Sequence, residues 1–245
     1  MLDNTTLQSG PFETQVAMGK VPGVTGLSIS GYSPSVGTDF QPAWEDGQYV
    51  FFNTANTVLV WSESASDSNV SIQINGLDSS YNIQSEVVVL GANSVVGVQT
   101  TKQYLRVNSI NLTRTPQNVG KIHAGSTDKT ITLAYIGSNS DPSLGRSQMT
   151  VYTVPAGYTF FLTQSTWYTN QTGSQTALYR SWTKNAAGVV NVVLTFPFTT
   201  SYQSTKVVPR PYTEKTDIQW QVASSSGTSR VGGQIEGYLI SNSLL

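Results

Sequence analysis

Cysteine is absent from the 245 residues. Disulfides, thiolate nucleophiles and cysteine-ligated zinc are therefore excluded. Histidine occurs once, at His123, so any histidine-based triad must use it. Charge is scarce. Asp, Glu, Lys and Arg together make up 11% of the chain, against roughly a quarter in ordinary globular proteins. No apolar run reaches the about 18 residues that a membrane-crossing helix needs, and no membrane partner is expected. Residues 1–25 lack the basic start and apolar stretch of an export signal.

One absence is regional. Between Lys20 and Lys102 there is no lysine and no arginine. Residues 1–100 carry nine carboxylates against one cation, and residues 101–245 carry twelve cations against five carboxylates. Halves of opposite sign attract within one molecule or between copies, which points to assembly sooner than to catalysis. The cations of the second half are spread out and form no compact footprint, so nucleic acid is not expected as a partner.

What fills the chain is Ser, Thr, Asn, Gln and Gly, with Val, Ile, Leu and aromatics throughout. From Gly26 onward the apolar period is two. Val70, Ile72 and Ile74 alternate with polar residues, as do Ile131, Leu133 and Tyr135, and Ile218, Trp220 and Val222. Such alternation predicts half-buried antiparallel strands. Gln48–Asn53 and Thr57–Trp61 read as further strands, and Glu86–Leu90 as a buried central one. Leu105 and Val107 differ in parity from Ile110 and Leu112, which calls for a β-bulge near Asn108–Ser109 or a bend between two strands. Asn75-Gly76 and Pro155-Ala156-Gly157 are turn signals. No helix of three turns is predicted. Many short strands separated by turns indicate an all-β fold, here two tandem antiparallel β-sandwich modules of jelly-roll or immunoglobulin-like type. The expected divisions are an extended N-terminal arm (1–25), an acidic sandwich (26–114), a linker (115–128) and a basic sandwich (129–245).

Chemistry has few candidates. His123 lies in a short apolar strand with no nucleophile elbow nearby and reads as structural. Paired carboxylates could in principle cleave sugars. Glu45-Asp46 reads as a turn, however, and Glu63 and Asp67 sit in a Ser-rich loop. Ser66-Asp67-Ser68-Asn69 and Asn139-Ser140-Asp141 could offer oxygens to calcium but lack the EF-hand spacing. No phosphate-cradling loop occurs. No catalytic residue, metal or cofactor is assigned. Trp220 alternates with Ile218 and Val222 and belongs in a core. Trp167, Tyr168, Tyr179 and Trp182 are candidates for glycan stacking or for an interface. Leu2, Phe12 and Val16 are the apolar residues by which the arm would grip a neighbour.

Several turn-and-strand stretches resemble virion structural proteins of tailed bacteriophages, including those of marine and cyanobacterial phages. They are Gly31-Tyr32, Pro42-Ala43-Trp44, Gly47-Gln48-Tyr49, Ile74–Asp78, Tyr104–Val107, Val151–Tyr158, Thr216–Ile218 and Ile235–Ile240. The resemblance implies a multi-copy, non-enzymatic role in a virion and supplies no active-site residues. Capsid decoration or cement is the leading placement, with neck, tail, fibre or host-glycan binding as alternatives. Other virion proteins and further copies of this chain are the expected partners.

Overall fold

A computed structural model describes residues 11–113, 117–138, 145–170 and 176–245. All but a few elements are strands, and all sheet pairings are antiparallel. The all-β expectation therefore holds. The strands form two sandwiches with separate cores, but the chain does not run through them in tandem.

One sandwich is built from β1 (Val24–Val36), the two-residue β2 (Gln41–Pro42), β10 (Val151–Thr153), β11 (Tyr158–Thr169), β12 (Ala177–Lys184), β13 (Val190–Phe198), β14 (Ser201–Tyr212), β15 (Asp217–Ser224) and β16 (Ser229–Ser241). Its two sheets run β1-β16-β11-β14 and β10-β15-β12-β13, with β2 on β15. Leaving β2 aside, the first strand pairs the last, the second the seventh, the third the sixth and the fourth the fifth. That is one long hairpin rolled up on itself, a jelly roll.

The other sandwich lies between β2 and β10 in the chain. It comprises β3 (Asn56–Ser62), β4 (Ser71–Leu77), β5 (Ile83–Val89), β6 (Val98–Tyr104), β7 (Arg106–Leu112), β8 (Ile122–Gly125) and β9 (Thr132–Ile136). Its sheets run β6-β3-β8-β9 and β5-β4-β7. It is an insertion within the jelly roll.

This topology corrects the expected divisions. Residues 26–36, expected in the acidic sandwich, pair with β16 at the far end of the chain. The span 115–128, expected as a linker, contains β8, which lies between β3 and β9. Residues 132–136, expected in the basic sandwich, close the inserted one as β9. Turn composition and a change of charge sign along the chain do not report which strands exchange hydrogen bonds.

The arm is not wholly extended. Phe12–Ala17 forms a short helix, α1, with Pro11 before it and Glu13 in its first turn. Both fit a helix start, because proline has no N–H to leave unpaired and a carboxylate faces the positive helix end. Val16 is buried, and Phe12 meets Tyr238 edge-on at 5.3 Å. Leu2 lies outside the described residues.

Other local expectations met mixed outcomes. The bulge is present: Asn75 opposes Ser109 and Gly76 opposes Val107, which leaves Asn108 as the extra residue. The Pro155-Ala156-Gly157 turn is also present. Tyr158 N–H reaches Pro155 O, and Gly157 takes φ +76°, a conformation that suits a residue without Cβ. By contrast, Asn75-Gly76 lies inside β4, and residues 48–53 form no strand. Glu86–Leu90 falls mostly in β5, an edge strand with exposed Ile83, Val87 and Val89. The apolar run was not a sign of central position.

The seam between the sandwiches is polar and well bonded. The Asn108 side chain donates to Thr153 O and accepts from Thr153 N–H at 3.1 and 3.0 Å. A residue freed by the bulge thus continues a strand-like ladder with its amide. Arg106 forks onto Asp217 at 2.7 and 2.8 Å and also donates to Phe52 O and Leu105 O. Thr153 Oγ1 donates to the same carboxylate at 2.7 Å. Thr150 accepts from Ala43 N–H and donates to Trp220 O, tying the outgoing and returning segments to β15. The alternation over 217–222 predicted a strand with one wet face. Every residue of β15 is buried instead, because the inserted sandwich and the segment leading to it cover the polar face.

Candidate interface

The catalytic candidates are dispersed and internally occupied. His123 Nε2 lies 3.0 Å from Glu63 Oε1, and its ring stacks on Trp61 at 5.0 Å. Asp67 is 1% exposed. Its carboxylate accepts from Ser62 Oγ, Val119 N–H and Gly120 N–H, so it anchors the segment entering β8. Those protein donors already claim both oxygens of the carboxylate in the first calcium-loop candidate. The second candidate lies outside the described residues. Among the described residues no group of His, Cys, Asp and Glu gathers as metal ligands. Glu45 and Asp46 do lie in a turn, where Glu45 accepts from Lys121 Nζ at 2.5 Å. This arrangement supports structure: among the described residues the partner of His123 Nε2 is the Glu63 carboxylate.

The four aromatic candidates do not converge. Trp167 and Tyr179 are buried and touch each other, 4.8 Å between rings, inside the jelly-roll core. Tyr168 is exposed on the outer face of β11. Trp182 is half-buried on β12 in the opposite sheet and stacks on Phe51. The two outward rings therefore face away from each other. Glycines make the packing of the β11 pair possible. Trp167 and Tyr168 oppose Gly233 and Gly232 across the ladder. A Cβ on Gly233 would stand 2.4 Å from the Trp167 ring. The aromatic faces thus cover bare backbone, a known way of stabilising strand glycines.

Unpaired edges are the more informative feature. β5 side chains bridge to the neighbouring sheet, where Glu86 accepts from the N–H groups of Thr101 and Lys102. Those bonds outweigh partial burial and hold the Glu86 carboxyl below its ordinary pKa. At the jelly roll, β1 is flanked by α1, and β10 leans on β7 through Asn108. The remaining side, formed by edges β13 and β14, has no such cover among the described residues.

That side is apolar. On β13, Val190, Val192 and Phe196 are exposed. Phe196 stacks on Tyr202 of β14 at 4.6 Å, joining the two edges. On β14 the ladder to β11 jumps from Thr205↔Gln164 to Arg210↔Leu162. Residues 206–209 thus bulge outward opposite Thr163. At the crest Val207 is 99% exposed and Val208 81%. Proteins commonly guard free edges with lysine, proline and bulges. Here Lys206, Arg210, Pro197, Pro209 and Pro211 provide that guard, while the valines remain bare. The sequence offered one signal for this: Lys-Val-Val-Pro-Arg-Pro breaks the period of two within a strand.

No family model and no curated protein matches the chain. Among solved structures, that of the infectious bursal disease virus Gx strain is 11% identical, with a TM-score of 0.23, covering 95% of this chain and 77% of that one. The Gt strain structure is 10% identical, with a TM-score of 0.22, covering 96% and 79%. A likeness at these scores carries no argument about family or role.

Proposed function

We propose that this chain is a non-enzymatic structural protein of a virion, present in many copies. The leading placement is decoration or cement on a tailed-phage capsid, where a rigid body bridges neighbouring subunits. One observation carries the reading: among the described residues nothing covers the β13–β14 side of the jelly roll, and exposed valines stand on it. A monomer working alone has no use for such a surface, and large exposed apolar patches mark interaction sites. The seam at Arg106 and Asp217 supports it, because a cement must hold its two lobes in one fixed orientation. The resemblance of the turn-and-strand stretches to phage virion proteins points the same way. Jelly rolls also occur in lectins and cupins, so the fold alone does not decide. With Trp167 and Tyr179 in the core, nothing favours the glycan reading.

The test is direct. A tagged chain expressed during assembly of the parent particle, located by electron microscopy of labelled virions, is expected on the capsid surface at regular spacing. Label on the neck, tail or fibre would move the placement, and particles free of label would overturn the role.

A further inference from the structure

We propose that the cleft between the free edge of β1, strand β7 and the segment 145–149 binds a small organic carboxylate, with its anionic head on Arg146 and its short apolar body on the cleft floor. The inference goes beyond the virion role and does not depend on it.

The cleft lies where the two sandwiches meet. β1 pairs with β16 on one side only, so its other edge is open over residues 27–30. Opposite, Gly145 O accepts from Leu112 N–H, and Ser147 N–H donates to Ile110 O. These bonds lay 145–147 along β7 as a short extra strand. The space between holds about 150 Å³. A cavity of about that size accommodates benzene, so there is room for a small molecule or one side chain but not for a strand. The cleft wraps around the edge of β1, so both faces of that strand line it. Leu27 and Ile29 form the apolar floor with Met149 and Tyr152, and Ser28 and Ser30 line it from the other face.

The polar lining is rich in donors. Ser28 Oγ accepts from Gln234, Ser30 Oγ from Arg146, Ser109 Oγ from Asn75, and Ser147 Oγ from Ile110 N–H. A serine hydroxyl that accepts a bond still has its own proton to donate. Among the described residues, none of the four hydroxyls gives that proton to a protein acceptor. Arg146 stands exposed at the mouth, and its guanidinium spends one donor, on Ser30 at 3.1 Å. The Asn111 side chain also lines the cleft, and its amide has no bond among the described residues. No Asp or Glu lines the cleft. Glu236, opposite Ser28 across the ladder, accepts from Gln234 instead.

Surplus donors without a matching anion select a group that only accepts, and an ionised carboxylate is such a group. The flat guanidinium fork matches its two oxygens. The apolar floor disfavours inorganic phosphate, which has no apolar side. A neutral alcohol brings a further donor and no charge.

The test is a titration of butyrate into the isotope-labelled full chain, read from amide shifts. Saturable shifts are expected over residues 27–30, 109–111 and 146–149, with a Kd on the order of 1 mM. Butanol and inorganic phosphate are expected to bind about tenfold more weakly. Arg146→Gln alters an exposed side chain, so the variant is expected to fold as wild type and to lose about tenfold in butyrate affinity. A glutamyl peptide blocked at both ends separates two sources of the same group. Binding as tight as butyrate's supports the site and assigns the carboxylate to a side chain of a neighbouring protein. Exclusion of the peptide while butyrate binds supports the site for a free acid. Absence of saturable shifts, shifts confined to other residues, butanol or phosphate binding as tightly as butyrate, or wild-type affinity in Arg146→Gln would each overturn the proposal.

Discussion

Arg106 and Asp217 form the most consequential residue pair, because both are buried and every strong bond between them crosses the seam. Removing one partner of a buried ion pair leaves a charge without compensation, at about 3–5 kcal/mol. Asp217→Asn or Arg106→Met should lower the urea midpoint accordingly. The double replacement should cost clearly less than the sum, as a double-mutant cycle would reveal. Trp167 and Tyr168 offer a second contrast. Trp167→Ala empties a core position and should cost about 3–5 kcal/mol, whereas Tyr168→Ala should cost under about 1 kcal/mol. Equal losses would contradict the placement of one ring inside and one outside. Acid sensitivity also belongs to this scale. Asp78, Glu86 and Asp128 all titrate below their ordinary values when folded, Asp128 pushed down to about 2 by the Ser126 hydroxyl, the Thr130 hydroxyl and the Thr130 N–H. Unfolded carboxyls titrate near about 4. The contribution of these groups is therefore full above that pH and lost as pH falls toward about 2. Thermal melts between those limits should show a declining midpoint.

At the scale of elements, alternation identified strands well and their surroundings poorly. It found β4, β9 and β15, and the parity change between Val107 and Ile110 located the bulge at Asn108. The reason is local: side chains on a strand must alternate, so a phase error in the sequence is a phase error in the ladder. Whether a strand is central or at an edge depends on which distant segments pair with it. Glu86–Leu90 looked central and falls mostly in an edge strand, and the polar face of β15 looked wet and is covered. Asn108→Ala would test what the bulge is for. It should remove both amide bonds to Thr153 and cost about 1–3 kcal/mol, while the bulge itself persists in the amide exchange pattern of β4. Loss of the bulge would mean that the side chain creates it. Of the candidate site, only the irregular Lys206–Pro211 stretch was visible in the sequence. Its exposure depends on β14 being an edge.

For the whole molecule, the folded chain rearranges the charge asymmetry. Residues 45–138, which hold the inserted sandwich, carry five cations against seven carboxylates, and the rest of the chain carries eight against seven. The large imbalance between linear halves shrinks because residues 101–138, with five cations and one carboxylate, fall within the inserted span, and residues 1–44, with three carboxylates and one cation, fall outside it. It survives only locally, in the cation-free span 21–101 and the carboxylate-free span 142–213. The insertion topology also makes a prediction about fragments. A piece spanning residues 45–138 contains all seven strands of its sandwich and should melt cooperatively alone. A piece ending at residue 114 separates β1 from β16 and lacks β8 and β9, so it should stay unfolded or aggregate. A cooperative melt of the second piece would contradict the strand exchange.

Composition and period by themselves determined an all-β chain without cysteine chemistry, with its strands, its main bulge and its proline turn in recognisable places. These follow from interactions between near neighbours, which the order of residues encodes directly. The nesting of one sandwich inside the other, the burial of the Arg106–Asp217 pair and the bare valines at the β13–β14 side were decided only by tertiary structure. They depend on strand pairing between segments more than two hundred residues apart, such as Val24 with Ile240, and no local pattern records which distant strand will claim an edge.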